Sequence, residues 1–287
     1  GVVYLDDGTT TINSNGAAIT LTEVRGNTTG KDEQLVADAG SSATDATVSV
    51  AAIGADLSIS HITLDGPDGV TLNGDIKTAS QTGSHLTITG DVTLATGAIT
   101  ITTDSGGEAA KDGDVTFNDK IDGAQTLTID SGDGDVKLQG TVGGGSATGI
   151  SGLSINAGDE TGTIEITDIG DSDSLGVSGT VDIGNSATAT LTLDGTNYYT
   201  DSGAGGTTFE ASSSGSAIGA GTNGEVADLT IGSGGTGAID VFQIGGSNAG
   251  ASGSTAIGNT STTTLTLDGT IYKTTGSQTY TAASGGK

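Results

Sequence analysis

The chain of 287 residues contains no Cys, no Met and no Trp, one Pro, three Phe and only eight Lys plus Arg. Without cysteine there is neither a disulfide framework nor a thiolate metal site. Without tryptophan, and with so few phenylalanines, a core of large aromatic side chains is excluded. Because Met is absent, the sequence does not start at its own initiator, and a processed chain or a piece of a longer or polymerising one is expected. Against the eight cations stand 35 Asp plus Glu, for a net charge of -27. Such a molecule repels phosphate backbones and anionic lipid, which disfavours nucleic acid and membrane surfaces as partners. No window reaches the run of about 20 apolar residues that a membrane helix needs, so no membrane insertion is expected.

What is present is Gly, 52 residues of it, with abundant Thr, Ser and Asp. Leu, Ile, Val and Phe total 58 residues, about 20%, which lies at the boundary where a charged chain stops folding. An unfolded acidic spacer is therefore one reading of composition alone. A Cys-free, Thr-rich, acidic chain also suits a secreted protein of the extracellular space or bacterial cell surface, soluble without a defined redox environment.

The pattern along the chain favours a fold. Helical periodicity is missing almost everywhere, whereas short alternating runs recur: Leu57-Ser58-Ile59, Leu86-Thr87-Ile88, Leu127-Thr128-Ile129, Leu153-Ser154-Ile155, Leu229-Thr230-Ile231 and Leu265-Thr266-Leu267. In each, the outer pair points to one face and the central hydroxyl residue to the other, as the two-residue repeat of a strand requires. The runs follow a larger rhythm. Leu127/Ile129 leads to Val136/Leu138 and then Val142, Leu153/Ile155 to Ile164/Ile166 and Ile169, Ile99/Ile101 to Val115/Phe117 and Ile121, and Leu229/Ile231 to Ile239/Val241 and Ile244. Roughly three strands per coil of about 27 residues predict an all-β fold, a parallel β-helix (β-solenoid). Small β-branched residues and Leu suffice to fill so thin an interior, and Gly, Asn and Asp serve its corners. The single proline, Pro67, lies in the turn cluster Asp65-Gly66-Pro67-Asp68-Gly69, where it removes no ladder donor.

A direct repeat supports this. Ile183-Gly184-Asn185, Leu191 to Thr196 and Tyr198 return as Ile257-Gly258-Asn259, Leu265 to Thr270 and Tyr272, a shift close to three such turns. One elongated domain over 1–287 is expected, with its clearest coils over 56–287. Residues 22–46 and 202–224 read as less regular loops or excursions.

Gly113-Asp114-Val115-Thr116-Phe117, Ile121 to Ile129 and Gly140-Thr141-Val142-Gly143-Gly144 resemble repeats of large bacterial surface exoproteins of the filamentous-haemagglutinin-like kind, and Thr274 to Tyr280 is similar to a segment common in β-strand-repeat adhesins. The resemblance covers residues 57–287. It implies a right-handed parallel β-helix, export, and a stalk or fibre role in cell adhesion or surface structure.

Chemistry is sparse in the sequence. His61 and His85 each sit beside a strand run with no ligand-spaced Cys or second His, so they read as surface or rung-stacking residues and no catalytic residue or triad is assigned. Asp130, Asp133, Asp135, Asp171 and Asp173 lie in acidic turns that offer oxygen ligands for Ca²⁺, the one cofactor considered, against a reading as solvated turn residues. Tyr198, Tyr199, Tyr272 and Tyr280 offer an aromatic ledge for a sugar or a neighbouring molecule, against packing over coil corners.

The expected function is therefore non-catalytic: the shaft of a surface adhesin or a subunit of a self-associating extracellular filament. The expected partner is the chain itself, head to tail or through a longer polypeptide, with surface glycans or other cells as further partners. The alternative is a carbohydrate-active β-helix enzyme, a polysaccharide lyase or hydrolase, with Asp6/Asp7, Asp133/Asp135 or Asp171/Asp173 as its carboxylate pairs. The basic residues a lyase needs to neutralise an acidic sugar are nearly absent.

Overall fold

The computed structural model describes the chain except residues 7, 28–32, 42–44, 56–58, 79–82, 105–111, 145–148, 157–160, 171–175, 201–205, 213–215, 220–228, 233–236, 243, 245–252 and 285–287. Among the described residues the secondary structure is strand and turn, without helix, and every strand pairing is parallel. The contacts divide the chain into two compact units, Gly1–Gln139 and Gly140–Lys287. Each is a stack of β-solenoid coils with three faces.

In the first unit the chain visits the faces in a fixed order. One face carries Val3–Leu5 and Val24–Gly26, then Ile76–Lys77, Ile99–Thr102 and Thr126–Asp130, linked through the bridges of Ile53 to Val24 and Ile76. A second carries Thr9–Asn13, Gln34–Asp38, His61–Asp65, His85–Thr89, Asp114–Phe117 and Val136–Leu138. The third carries Ile19–Leu21, Thr47–Val50, Gly69–Leu72, Val92–Leu94 and Ile121–Asp122. The strands Val24–Gly26 and Gln34–Asp38 fall inside the stretch 22–46, which the sequence marked as less regular. There Leu35 and Ala37 alternate with Val36 just as a buried-face strand requires, although the flanking charges obscure the run.

The interior is built of vertical rows. On the second face Leu35, Ile62, Leu86, Val115 and Val136 stack in register, and beside them Ala37, Leu64, Ile88, Phe117 and Leu138. All are buried. Each large aliphatic side chain in such a row contributes about 1.5–3 kcal/mol by leaving water. The opposite side of the same strands presents Thr63, Thr87 and Thr116 as an outward row, so the two-residue alternation sorts methyl groups inward and hydroxyls outward. Pro67 sits in a turn closed by Gly69 N–H donating to the Gly66 carbonyl at 2.7 Å, where its own missing N–H costs nothing.

The second unit repeats the plan. One face holds Gly152–Ile155, Val181–Ile183, Thr207–Phe209, Ile239–Val241 and Leu265–Leu267. Another holds Thr163–Ile166, Thr190–Leu193 and Ser216–Gly219, the last with a shifted register, followed by the Ile244–Tyr272 bridge. The third runs from Val142 through Ile169 to Asn197–Tyr198, Leu229–Ile231, Thr255–Ile257 and Gln278–Tyr280. Thr207–Phe209 is a regular strand within the stretch 202–224 expected to be a loop; most of the remainder of that stretch lies outside the described residues.

The direct repeat does not span three whole turns. From Ile183 the ladder passes to Phe209, then to Val241 and then to Leu267, so three turns end well beyond Ile257. Ile257 falls one face short, on the sheet with Ile231 and Tyr280. The two copies occupy different faces of the same unit because its coils differ in length, and the coil from Phe209 to Val241 is longer than the one on either side of it.

Candidate functional site

The repeated segment forms two kinds of corner clip. In the first copy Asn185 accepts the amides of Ala187 and Thr188 on Oδ1, at 2.6 and 3.2 Å, and donates through Nδ2 to the Asn156 carbonyl one coil away at 2.8 Å. In the second copy Asn259 accepts the Ser261 amide and donates to the Gly232 carbonyl at 2.7 Å. The glycine before each Asn, Gly184 or Gly258, has a φ near +75°, and a Cβ there would lie 2.1 or 2.2 Å from the carbonyl oxygen of Glu210 or Thr281. Glycine alone fits that corner.

The second clip is a tyrosine turned inward. The Tyr198 hydroxyl receives the Gly195 amide at 2.9 Å and faces the carbonyls of Ile166 and Thr167 at 2.9 and 2.7 Å. Its ring packs edge-on against Phe209 with centroids 5.9 Å apart. Tyr198 is fully buried, and burial raises its phenol well above the ordinary value. Of the two readings of this residue, the ledge fails and packing at a coil corner holds: the hydroxyl closes three backbone groups at the corner and the ring faces the core. Tyr272 repeats the arrangement with Gly269, Val241 and Phe242, but is half-buried. Tyr280 is exposed and lies edge-on to Tyr272 at 6.2 Å, and Tyr199 is half-exposed. The four tyrosines therefore do not share one surface.

The acidic turns behave similarly. Asp133 N–H donates to Asp112 Oδ2 and Asp135 N–H to Asp114 Oδ1, both at 2.9 Å, so carboxylates of one coil cap amides of the next. Among the described residues no group of three His, Cys, Asp or Glu side chains is placed to hold a metal ion, and Asp130, Asp133 and Asp135 form none. Asp171 and Asp173 lie outside the described residues.

One acidic cluster was not anticipated. A cavity of about 70 Å³ is lined by Thr208, Phe209, Glu210, Asp240, Phe242 and Asp268. Burial first, and then the neighbouring carboxylates, raise Glu210 and Asp240 above the usual carboxylate range. The space is well below the roughly 300–1,000 Å³ typical of small-molecule pockets.

The two histidines, by contrast, are brought together. His61 and His85 are directly opposed on adjacent strands of the first unit, with ring centroids 4.4 Å apart and planes at 90°. His61 Nδ1 lies 2.9 Å from Ser60 Oγ, which itself donates to the Glu33 carbonyl at 2.9 Å. His85 Nδ1 faces the Gly83 carbonyl at 3.3 Å. Gln34 stands opposite His61 on the preceding strand and Asp114 opposite His85 on the following one. Burial and then the adjacent His85 lower the pKa of His61, opposed by the Gly83 carbonyl. The signal available in the sequence was the pair of parallel runs His61-Ile62-Thr63-Leu64 and His85-Leu86-Thr87-Ile88, which align only when the coil between them is taken as shorter than either of its neighbours. Searches against protein-family models, curated proteins and solved structures return no match to this chain.

Proposed function

We propose that this chain is a non-catalytic extracellular structural protein, the shaft of a surface adhesin or a subunit of a self-associating filament. The observation that carries the reading is the vertical stacking of mostly aliphatic rows within each unit, held by backbone ladders that run from coil to coil. Such a stack resists extension through many parallel hydrogen bonds and grows by adding like coils.

The outermost strands support growth. Among the described residues, Val3–Leu5 and Thr9–Asn13 in the first unit, and Leu265–Leu267 and Gln278–Tyr280 in the second, each pair on one side only. The large apolar side chains most open to solvent among the described residues, Val2, Tyr4, Ile271 and Tyr280, all belong to these outer coils. An unpaired strand edge templates further pairing, whether by a second copy or by more of the same polypeptide. Export and cell-surface location are supported by the acidic, cysteine-free composition. The adhesin reading, with surface glycans or other cells as partners, rests on the resemblance of Gly113–Phe117 and the segments around it.

Electron microscopy and sedimentation of the purified chain over a range of concentrations test the proposal. Filaments or end-joined particles that lengthen with concentration are expected. Isolated particles of constant mass at every concentration would remove self-association, and release of new reducing ends or unsaturated products from acidic polysaccharides, with or without Ca²⁺, would replace the structural reading with the enzymatic one.

A further inference from the structure

Coiling places the only two imidazoles of the chain side by side on the outer surface of one sheet. The hydrogen-bond network also selects their protonation. Ser60 Oγ has one proton and gives it to the Glu33 carbonyl, so toward His61 the hydroxyl acts as an acceptor and Nδ1 carries the hydrogen. A carbonyl can only accept, so His85 Nδ1, facing Gly83, carries its hydrogen too. In these tautomers each ring has its lone pair on Nε2, and the Gly83 carbonyl faces both rings. That is the arrangement in which metal-ligating histidines are usually held, one ring nitrogen donating to a backbone or side-chain oxygen while the other ligates.

We propose that His61 and His85 form a two-imidazole clamp for a divalent transition-metal ion of the copper, nickel or zinc type, each ligating through Nε2, with water filling the remaining positions. Imidazole nitrogen selects these ions over Ca²⁺ and Mg²⁺, which demand oxygen donors. Both rings are only partly buried, so an ion from solvent can reach them, and their strands fix the backbone spacing. Asp114, in register with His85 on the next strand and exposed, adds negative potential beside the pair, and the net charge of -27 concentrates cations at the surface. The clamp is independent of the structural role proposed above.

The test uses the whole chain and Cu²⁺, followed by proton NMR of the imidazole rings and by calorimetry. Two histidines give two sets of ring signals, and both are expected to broaden in parallel below one equivalent of Cu²⁺. Because the second ligand binds intramolecularly, His61→Gln and His85→Gln are each expected to lower affinity on the order of 10²-fold, and the double variant, which has no imidazole left, further still. Unchanged circular dichroism confirms that the outward substitutions leave the fold intact. Ca²⁺ in excess is expected to leave the ring signals unmoved. Broadening of one ring alone or of neither, displacement of Cu²⁺ by Ca²⁺, or single variants that bind as tightly as the parent would each overturn the clamp.

Discussion

The two corner tyrosines offer a comparison within one unit, since the same residue makes the same bonds in two copies of one motif but at different depth. Replacing Tyr198 by Phe removes a hydroxyl that receives the Gly195 amide and donates to a pair of carbonyls. One of these, Ile166 O, keeps the Asp194 amide as a partner at 2.8 Å. The loss therefore falls on the buried Gly195 N–H. An unsatisfied buried group costs about 1–3 kcal/mol, and burial of the Gly195 amide gives water no ready access, so Tyr198→Phe is expected to destabilise the second unit by about 1–3 kcal/mol. In Tyr272→Phe the ring is half-exposed and water can replace the hydroxyl at Gly269 and Phe242, which limits the loss to about 1 kcal/mol or less. Urea unfolding followed by circular dichroism measures both, with the slope of the transition checked for constancy. Equal losses in the two variants, or a loss below about 1 kcal/mol for Tyr198→Phe, would refute the argument that the inward hydroxyl clamps the corner.

Two further outcomes follow from the packing and the charge. Phe117→Ala empties a position stacked directly on Ile88 and Leu138, and is expected to cost about 3–5 kcal/mol in the first unit; Tyr4→Ala, at 58% exposure, should stay within about 0.5 kcal/mol in the same denaturation assay. Acidification should stabilise the second unit. Asp182, Glu210 and Asp240 have folded pKa values above their unfolded ones, so the folded state takes up protons more readily. Their contribution is fully present below the unfolded carboxylate values and is lost as the pH rises through the folded ones. A thermal midpoint for this unit that increases from pH 7 toward pH 5 is expected, and one that falls steadily over that interval would contradict the sign.

The fold class was legible because a strand buried on one side has a period of two that needs no tertiary knowledge to recognise. Ile99 and Leu127, which open successive runs in the sequence, do pair in register, and the succession of Ile99/Ile101, Val115/Phe117 and Ile121 does follow three faces. What the periodicity could not carry was a label for the face. Leu127-Thr128-Ile129 and Leu229-Thr230-Ile231 are near-identical runs in sequence, yet the second begins its coil on a different face of its unit from the run of Ile183. The strands Val24–Gly26 and Gln34–Asp38 escaped notice because their apolar runs are short and lie among charged residues.

Composition and alternation by themselves determined that this chain makes thin parallel coils with aliphatic rows inside and Gly and Asn at the corners. They did so because two-residue alternation and backbone sterics are local. Coil length was decided only by the tertiary structure: the path from Val115 to its partner Val136 is far shorter than the path from Asn197 to Thr230, as corner excursions of different size are admitted. That variation decides which residues meet. It places His61 against His85, puts the two copies of a repeat on different faces, and turns the Tyr198 hydroxyl into a corner, deciding between the ledge and corner readings of that residue. Contacts between coils depend on the full path length around a turn, and no local pattern encodes that sum.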